Sequence, residues 1–136
     1  MIDADDLVAS CQAAAGDALR TVALADFRSN DYDLLYMRPD IGEQYSVADI
    51  VQIYQDVGLG GLAKSMQSAL FEPLGELETV VYRFENGVNL VGYNEDGTRA
   101  VFVGLGRDDS VVDDVREAVA DARLRLDDTR TESVDA

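Results

Sequence analysis

The chain has 136 residues, 27 Asp or Glu against 11 Lys or Arg, no histidine and a formal charge of −16. That length holds one domain with a real core, and the 47% apolar fraction belongs to a folded body, not to an acidic disordered tail. The charge excludes a basic footprint for nucleic acid, and no run of about 18 apolar residues or apolar leader marks a membrane or secretory segment.

In chain order, Asp3 caps a first helix reaching about Ala15, with Leu7, Val8, Cys11, Ala14 and Ala15 on one stripe and Gly16 as stop. Thr21 to Phe27 and Tyr32 to Met37 read as strands around the turn cluster Arg28-Ser29-Asn30-Asp31. Arg38 to Gly42 is expected to be loop, because Pro39 disfavours helical geometry at Arg38. Ser46 with Asp49 forms a capping box for a helix whose face is Val47, Ile50, Val51, Tyr54 and Val57. Gly58, Gly60 and Gly61 predict a break there, or a close approach to the sheet, with a second helical piece from Leu62 to Phe71 ended by Pro73 and Gly75. Leu77–Glu85, Val88–Tyr93 and Thr98–Leu105 form a meander, with Asn86-Gly87 and Asp96-Gly97 as its two-residue turns. A final helix starts near Asp108 to Ser110 and carries Val111, Val115, Ala118, Val119, Ala122 and Leu126 on one face. The domain therefore spans residues 1–126, and 127–136 form a polar, frayed tail. Strands apolar on both sides require helices on both faces of the sheet.

The charge describes a solvent. Self-repulsion opposes compaction, and a Debye length of about 3 Å at molar salt removes most of it. Lys64 is the one lysine, and arginine is the less strongly hydrated cation. These features predict a cytoplasmic protein of a salt-in halophile, a halophilic archaeon.

Little in the sequence supplies chemistry. Without histidine, the commonest general base and metal ligand is missing. Cys11 sits on an apolar stripe and reads as a buried, inert thiol. Gly58-Leu59-Gly60-Gly61 and Gly104-Leu105-Gly106 complete no phosphate-binding motif. Asp113, Glu117 and Asp121 share a helix face that offers oxygens to a divalent ion, but acids crowd the whole chain and a solvated face explains them better. Asp26, inside a strand, is expected at the strand end near the turn or bonded to Arg28 or Arg38. Catalytic residues, cofactor and metal are all read as none.

The order helix, strand, strand, helix, three strands, helix resembles the roadblock/LC7 architecture, a relative of the longin and profilin-like folds. The likeness covers about residues 3–126 and rests on that order and on Gly75-Glu76-Leu77-Glu78 through Leu105. Asp31-Tyr32-Asp33-Leu34-Leu35-Tyr36-Met37-Arg38 and Val81-Tyr82-Arg83-Phe84-Glu85 also resemble small acidic proteins of halophilic archaea. The resemblance implies an α+β fold with a five-stranded antiparallel sheet of order 2-1-5-4-3. The first and last helices would lie on one face and the second on the other. It further implies a noncatalytic interaction module that forms a homodimer through the second helix and the third-strand edge and binds a Ras-like small GTPase. The corresponding interface residues are Ile53, Tyr54, Leu77, Thr79, Val81 and Arg83. Two other readings stay open. One is a small-ligand sensor of PAS or GAF type, which needs a cavity of roughly 300 Å³ or more. The other is an enzyme using carboxylates and a divalent metal.

Overall fold

The structure, a computed structural model, describes residues 2–127. The Asp3 side chain accepts hydrogen bonds from the Asp5 and Asp6 N–H groups and starts helix α1, Ala4–Ala15. Strands β1 (Leu19–Asp26) and β2 (Asp31–Met37) follow. Pro39, at the first position of a turn of helix, opens α2 (Pro39–Gly42), where loop was expected. Proline's fixed φ and absent N–H suit that position, and Arg38 stays extended before it. Helix α3 runs from Val47 to Leu70 behind the Ser46–Asp49 capping box. The meander is β3 (Thr79–Phe84), β4 (Gly87–Tyr93) and β5 (Arg99–Gly106), and α4 spans Val112–Leu124.

The strands form one antiparallel sheet in the order β2-β1-β5-β4-β3. One face carries Val22, Leu90, Val101 and Val103, which are buried with Leu7 and Cys11 of α1 and Val115 and Val119 of α4. This is the main core. Each β-branched or leucyl side chain buried there contributes about 1.5–3 kcal/mol. Gly92 lets α4 press against β4, since a Cβ at that position would fall 2.7 Å from Val119 Cγ1.

Helix α3 covers the other face without a break at Gly58, Gly60 or Gly61, contrary to the expected interruption. The alternative reading of the glycines, close packing, is the correct one. A Cβ on Gly60 would overlap the Tyr93 hydroxyl, and one on Gly61 would overlap the Gly97 carbonyl. At Gly61 the helix backbone meets the backbone of the β4–β5 turn directly, and at Gly60 the Tyr93 ring is what lies between helix and sheet. The Tyr93 hydroxyl donates to the Val57 carbonyl at 2.9 Å, and Lys64 Nζ donates to Glu76 Oε2 at 3.0 Å and to the Glu95 carbonyl at 2.7 Å.

The first meander turn also differs. Phe84 pairs with Gly87, so the turn residues are Glu85 and Asn86, one position earlier than expected, and neither has positive φ. Gly87 belongs to β4, where a Cβ would sit 2.9 Å from the Leu105 carbonyl of β5. At the second turn Gly97 adopts φ 75°, the left-handed region glycine tolerates. Leu77 falls outside β3, and Asp127 is ordered, its carboxylate accepting a hydrogen bond from Asn94 Nδ2 at 3.0 Å. The rest of the expected tail lies outside the described residues.

Candidate interaction surface and cavity

The six residues singled out for an interface do not form one patch. Tyr54 turns inward, stacking on Phe27 and Tyr32 and donating its hydroxyl to the Asp26 carbonyl. Ile53 lies on the flank of α3 and lines the space between helix and sheet. Leu77 is half-buried and its N–H is held by the Ser68 hydroxyl. Thr79, Val81 and Arg83 lie together on β3, an edge strand, with Arg83 paired to Asp109 at 2.7 Å.

The larger feature is on the outward side of α3. Leu59, Leu62, Met66 and Leu70, spaced i, i+3, i+7 and i+11, are 64%, 76%, 67% and 70% exposed. Phe71 and Leu74, also exposed, extend it past the C-terminus. At 1.5 Å per residue the helical part of the stripe, Leu59 to Leu70, is about 17 Å long. No Asp or Glu occurs from Val57 to Phe71, in a chain that has 27 of them. A helix apolar on both sides is ordinarily covered on both sides. The sequence contained this spacing, but a helix assumed to stop at Gly58 splits the row in two.

Between the inward side of α3 and the sheet lies a cavity of about 150 Å³. Its origin is legible in the ladder. Met37, Thr21, Gly104, Asn89 and Tyr82 form one cross-strand row, and Leu34, Ala23, Phe102 and Val91 form the next. Small residues in the middle of those rows leave the N-terminal half of α3 without support. Tyr45, Ile53, Val57, Asn89 and Phe102 also line an open groove of about 510 Å³ beside the cavity. A register shift between Leu19 and Thr21 leaves Arg20 as the extra residue of β1, and such bulges re-aim side chains. Arg20 lines the cavity, with Gln44 Oε1 and Tyr45 Oη each 3.4 Å from its Nη2.

Other candidates are structural. Burial pushes the Cys11 thiol up to about 11, which suits an inert core thiol. Asp26 ends β1 as expected and accepts from the Arg28 N–H, while its strongest ion pair, at 3.1 Å, is with Arg99, a partner distant in sequence. Burial raises its carboxyl, but the Arg28 N–H and the Arg99 charge outweigh that and leave it below the usual range. Asp113 pairs with Arg116 and Asp121 with Arg125 along α4, and no group of His, Cys, Asp or Glu among the described residues is placed to hold a metal. No helix among them is long and apolar enough to cross a membrane.

A family profile described as a domain of unknown function (DUF7522) matches residues 5–127. The chain belongs to that family. The DUF7522 match takes in every strand and nearly all of α1, so it covers both the exposed stripe and the cavity. No curated protein matches the chain.

Proposed function

We propose that this chain is a noncatalytic interaction module that forms a homodimer through the outward stripe of α3, with the β3 edge alongside. The observation that carries the reading is the row Leu59, Leu62, Met66 and Leu70, exposed and free of acids on a chain of charge −16. Two copies this acidic repel each other wherever carboxylates face one another, and exposed apolar patches above a few hundred Å² mark interaction sites. An acid-free helix face is where the desolvation of charge costs least. Tyr82 and Phe84, exposed on β3, supply apolar area next to an edge strand, which is a template for strand addition. The unbroken α3 and the strand order support the roadblock resemblance, and with it a Ras-like small GTPase as the partner class. The acidic surface supports a halophile cytoplasm as the setting.

Sedimentation of the full chain in molar KCl tests this. The expected mass is that of a dimer. The double substitution Leu62→Glu and Met66→Glu should yield a monomer, raising the dissociation constant at least about 100-fold, because truncating or charging central apolar contacts costs about 2 kcal/mol or more each. That monomer should stay folded, its circular dichroism matching wild type and its thermal midpoint lowered only by the lost dimer linkage, since both side chains point to solvent. A wild-type chain that remains strictly monomeric at high concentration overturns the dimer. Pull-down with GTPases loaded with either nucleotide tests the partner class.

A further inference from the structure

Nine arginines lie among the described residues, and eight of them have a carboxylate within ion-pair distance: Asp26, Asp40, Glu78, Asp109, Asp113 and Asp121 serve them, and Glu76 serves Lys64. Arg20 is the exception. It feels the charge of Asp40, which lies beyond ion-pair distance, and its hydrogen bonds are long, 3.4 Å contacts to the Gln44 amide and Tyr45 phenol oxygens, so in a chain with more than twice as many acids as bases this guanidinium keeps donor capacity for a ligand. It stands where β1 bulges, at the rim of the cavity under α3. Thr21 and Asn89 line the same end, their side-chain oxygens converging over Gly104, where no side chain fills the space. Beyond them the walls are apolar: Ala23, Leu34, Ile50, Ile53 and Phe102.

We propose that this cavity binds a small monocarboxylate. The carboxylate would lie against Arg20, with the Tyr45 hydroxyl and the Asn89 amide as further donors. Its apolar body would lie over Ala23 and Phe102 beneath α3. Guanidinium and carboxylate match as paired donors and acceptors, and one such bond to a charged group is worth roughly twice a neutral one. The size is set by the cavity. A dry apolar cavity of about 150 Å³ takes a molecule the size of benzene. The pocket therefore fits an aromatic ring or about six aliphatic carbons, and the adjoining groove gives the ligand its way in. The site lies on the inward side of α3, opposite the proposed dimer stripe, so it does not depend on that reading.

Calorimetry of the full chain in molar KCl with benzoate, hexanoate, benzyl alcohol and acetate tests the proposal. Benzoate or hexanoate should bind saturably at one site per chain, with benzyl alcohol and acetate at least about tenfold weaker. Arg20→Gln should weaken the acid about tenfold and leave benzyl alcohol unchanged. Ala23→Leu should abolish binding by filling the cavity. Circular dichroism should confirm the fold of both variants, and sedimentation should show the wild-type oligomeric state, which separates this result from failure of the dimer. Absence of saturable binding by either acid overturns the proposal, as does equal binding of alcohol and acid. An unchanged benzoate affinity in Arg20→Gln overturns it too, and keeps its force even if Ala23→Leu fails to fold.

Discussion

At the scale of single residues, the glycines of α3 separate two effects that sequence statistics merge. In an exposed helix interior, replacing glycine by alanine is worth about 1 kcal/mol of stabilisation. At Gly61 that gain meets the Gly97 carbonyl, a backbone atom that cannot step aside. Overpacking of this kind costs roughly 1–3 kcal/mol. Gly58 is different, because its Cβ would meet only the Phe27 ring, 3.1 Å away and able to tilt. Urea denaturation in molar KCl should therefore find Gly61→Ala destabilised, by up to about 2 kcal/mol once the propensity gain is taken from the overpacking cost, and Gly58→Ala neutral or more stable. Equal and favourable effects at both positions would mean that α3 does not touch the sheet at Gly97.

At the scale of elements, α3 depends on few attachments, and Lys64 is central among them. Its ammonium is buried, reaching Glu76 in the segment before β3 and the Glu95 carbonyl in the β4–β5 turn. Removing it by Lys64→Met strands that carbonyl, an expected loss of about 1–3 kcal/mol. The Lys64 hydrogen bond and charge hold the Glu76 carboxyl below its usual range. A depressed carboxyl stabilises the fold at pH values above its unfolded-state pKa and loses that contribution as pH falls through the folded one. Glu76→Gln in molar KCl should then lower the thermal midpoint at neutral pH, and the gap to wild type should close below about pH 4. A gap constant with pH would rule out the ion pair as its cause. The meander and the three main helices were legible, because alternation, caps and turn residues are local signals, whereas the strand order came from the roadblock resemblance and from no local signal. The continuity of α3 was not: glycine's weak helix propensity argued for a break, and the reason for the glycines, backbone of β4–β5 pressed against them, is tertiary. The Asn86-Gly87 turn was misplaced by one residue for the same reason, since Gly87 pairs with Gly106 across the ladder and the Leu105 carbonyl lies where its Cβ would be. Arg20 gave no local signal at all, because its distinction is that folding brings no carboxylate within ion-pair distance of it. The stripe on α3 was readable in principle, once the helix was allowed to run through.

At the scale of the whole molecule, two electrostatic effects with opposite pH dependence share one chain. The charge of −16 opposes compaction, and lowering the pH toward the isoelectric point of about 4.1 reduces it. Against this, the arginines and lysine hold selected carboxylates below their usual range. Asp109 is lowered by hydrogen bonds from Arg83 and then Arg107, Asp40 by Arg38, and Glu76 by Lys64. Those contacts weaken as the pH falls through the folded-state values. Salt decides which effect governs. At about 0.1 M KCl the Debye length is about 10 Å, long enough for neighbouring surface acids to repel, whereas at about 1 M it is about 3 Å, close to the length of an ion pair. In about 0.1 M KCl the thermal midpoint should rise between about pH 5.5 and pH 4.5, where the unpaired carboxylates begin to take up protons and repulsion falls. In molar KCl the midpoint should be higher at every pH, flat over that interval, and should fall only below about pH 4 as the paired carboxylates take up protons. Calorimetric scans at both salts measure this. A midpoint indifferent to KCl would show that the acidic surface does not oppose folding, and would remove the physical basis for placing this chain in a saline cytoplasm.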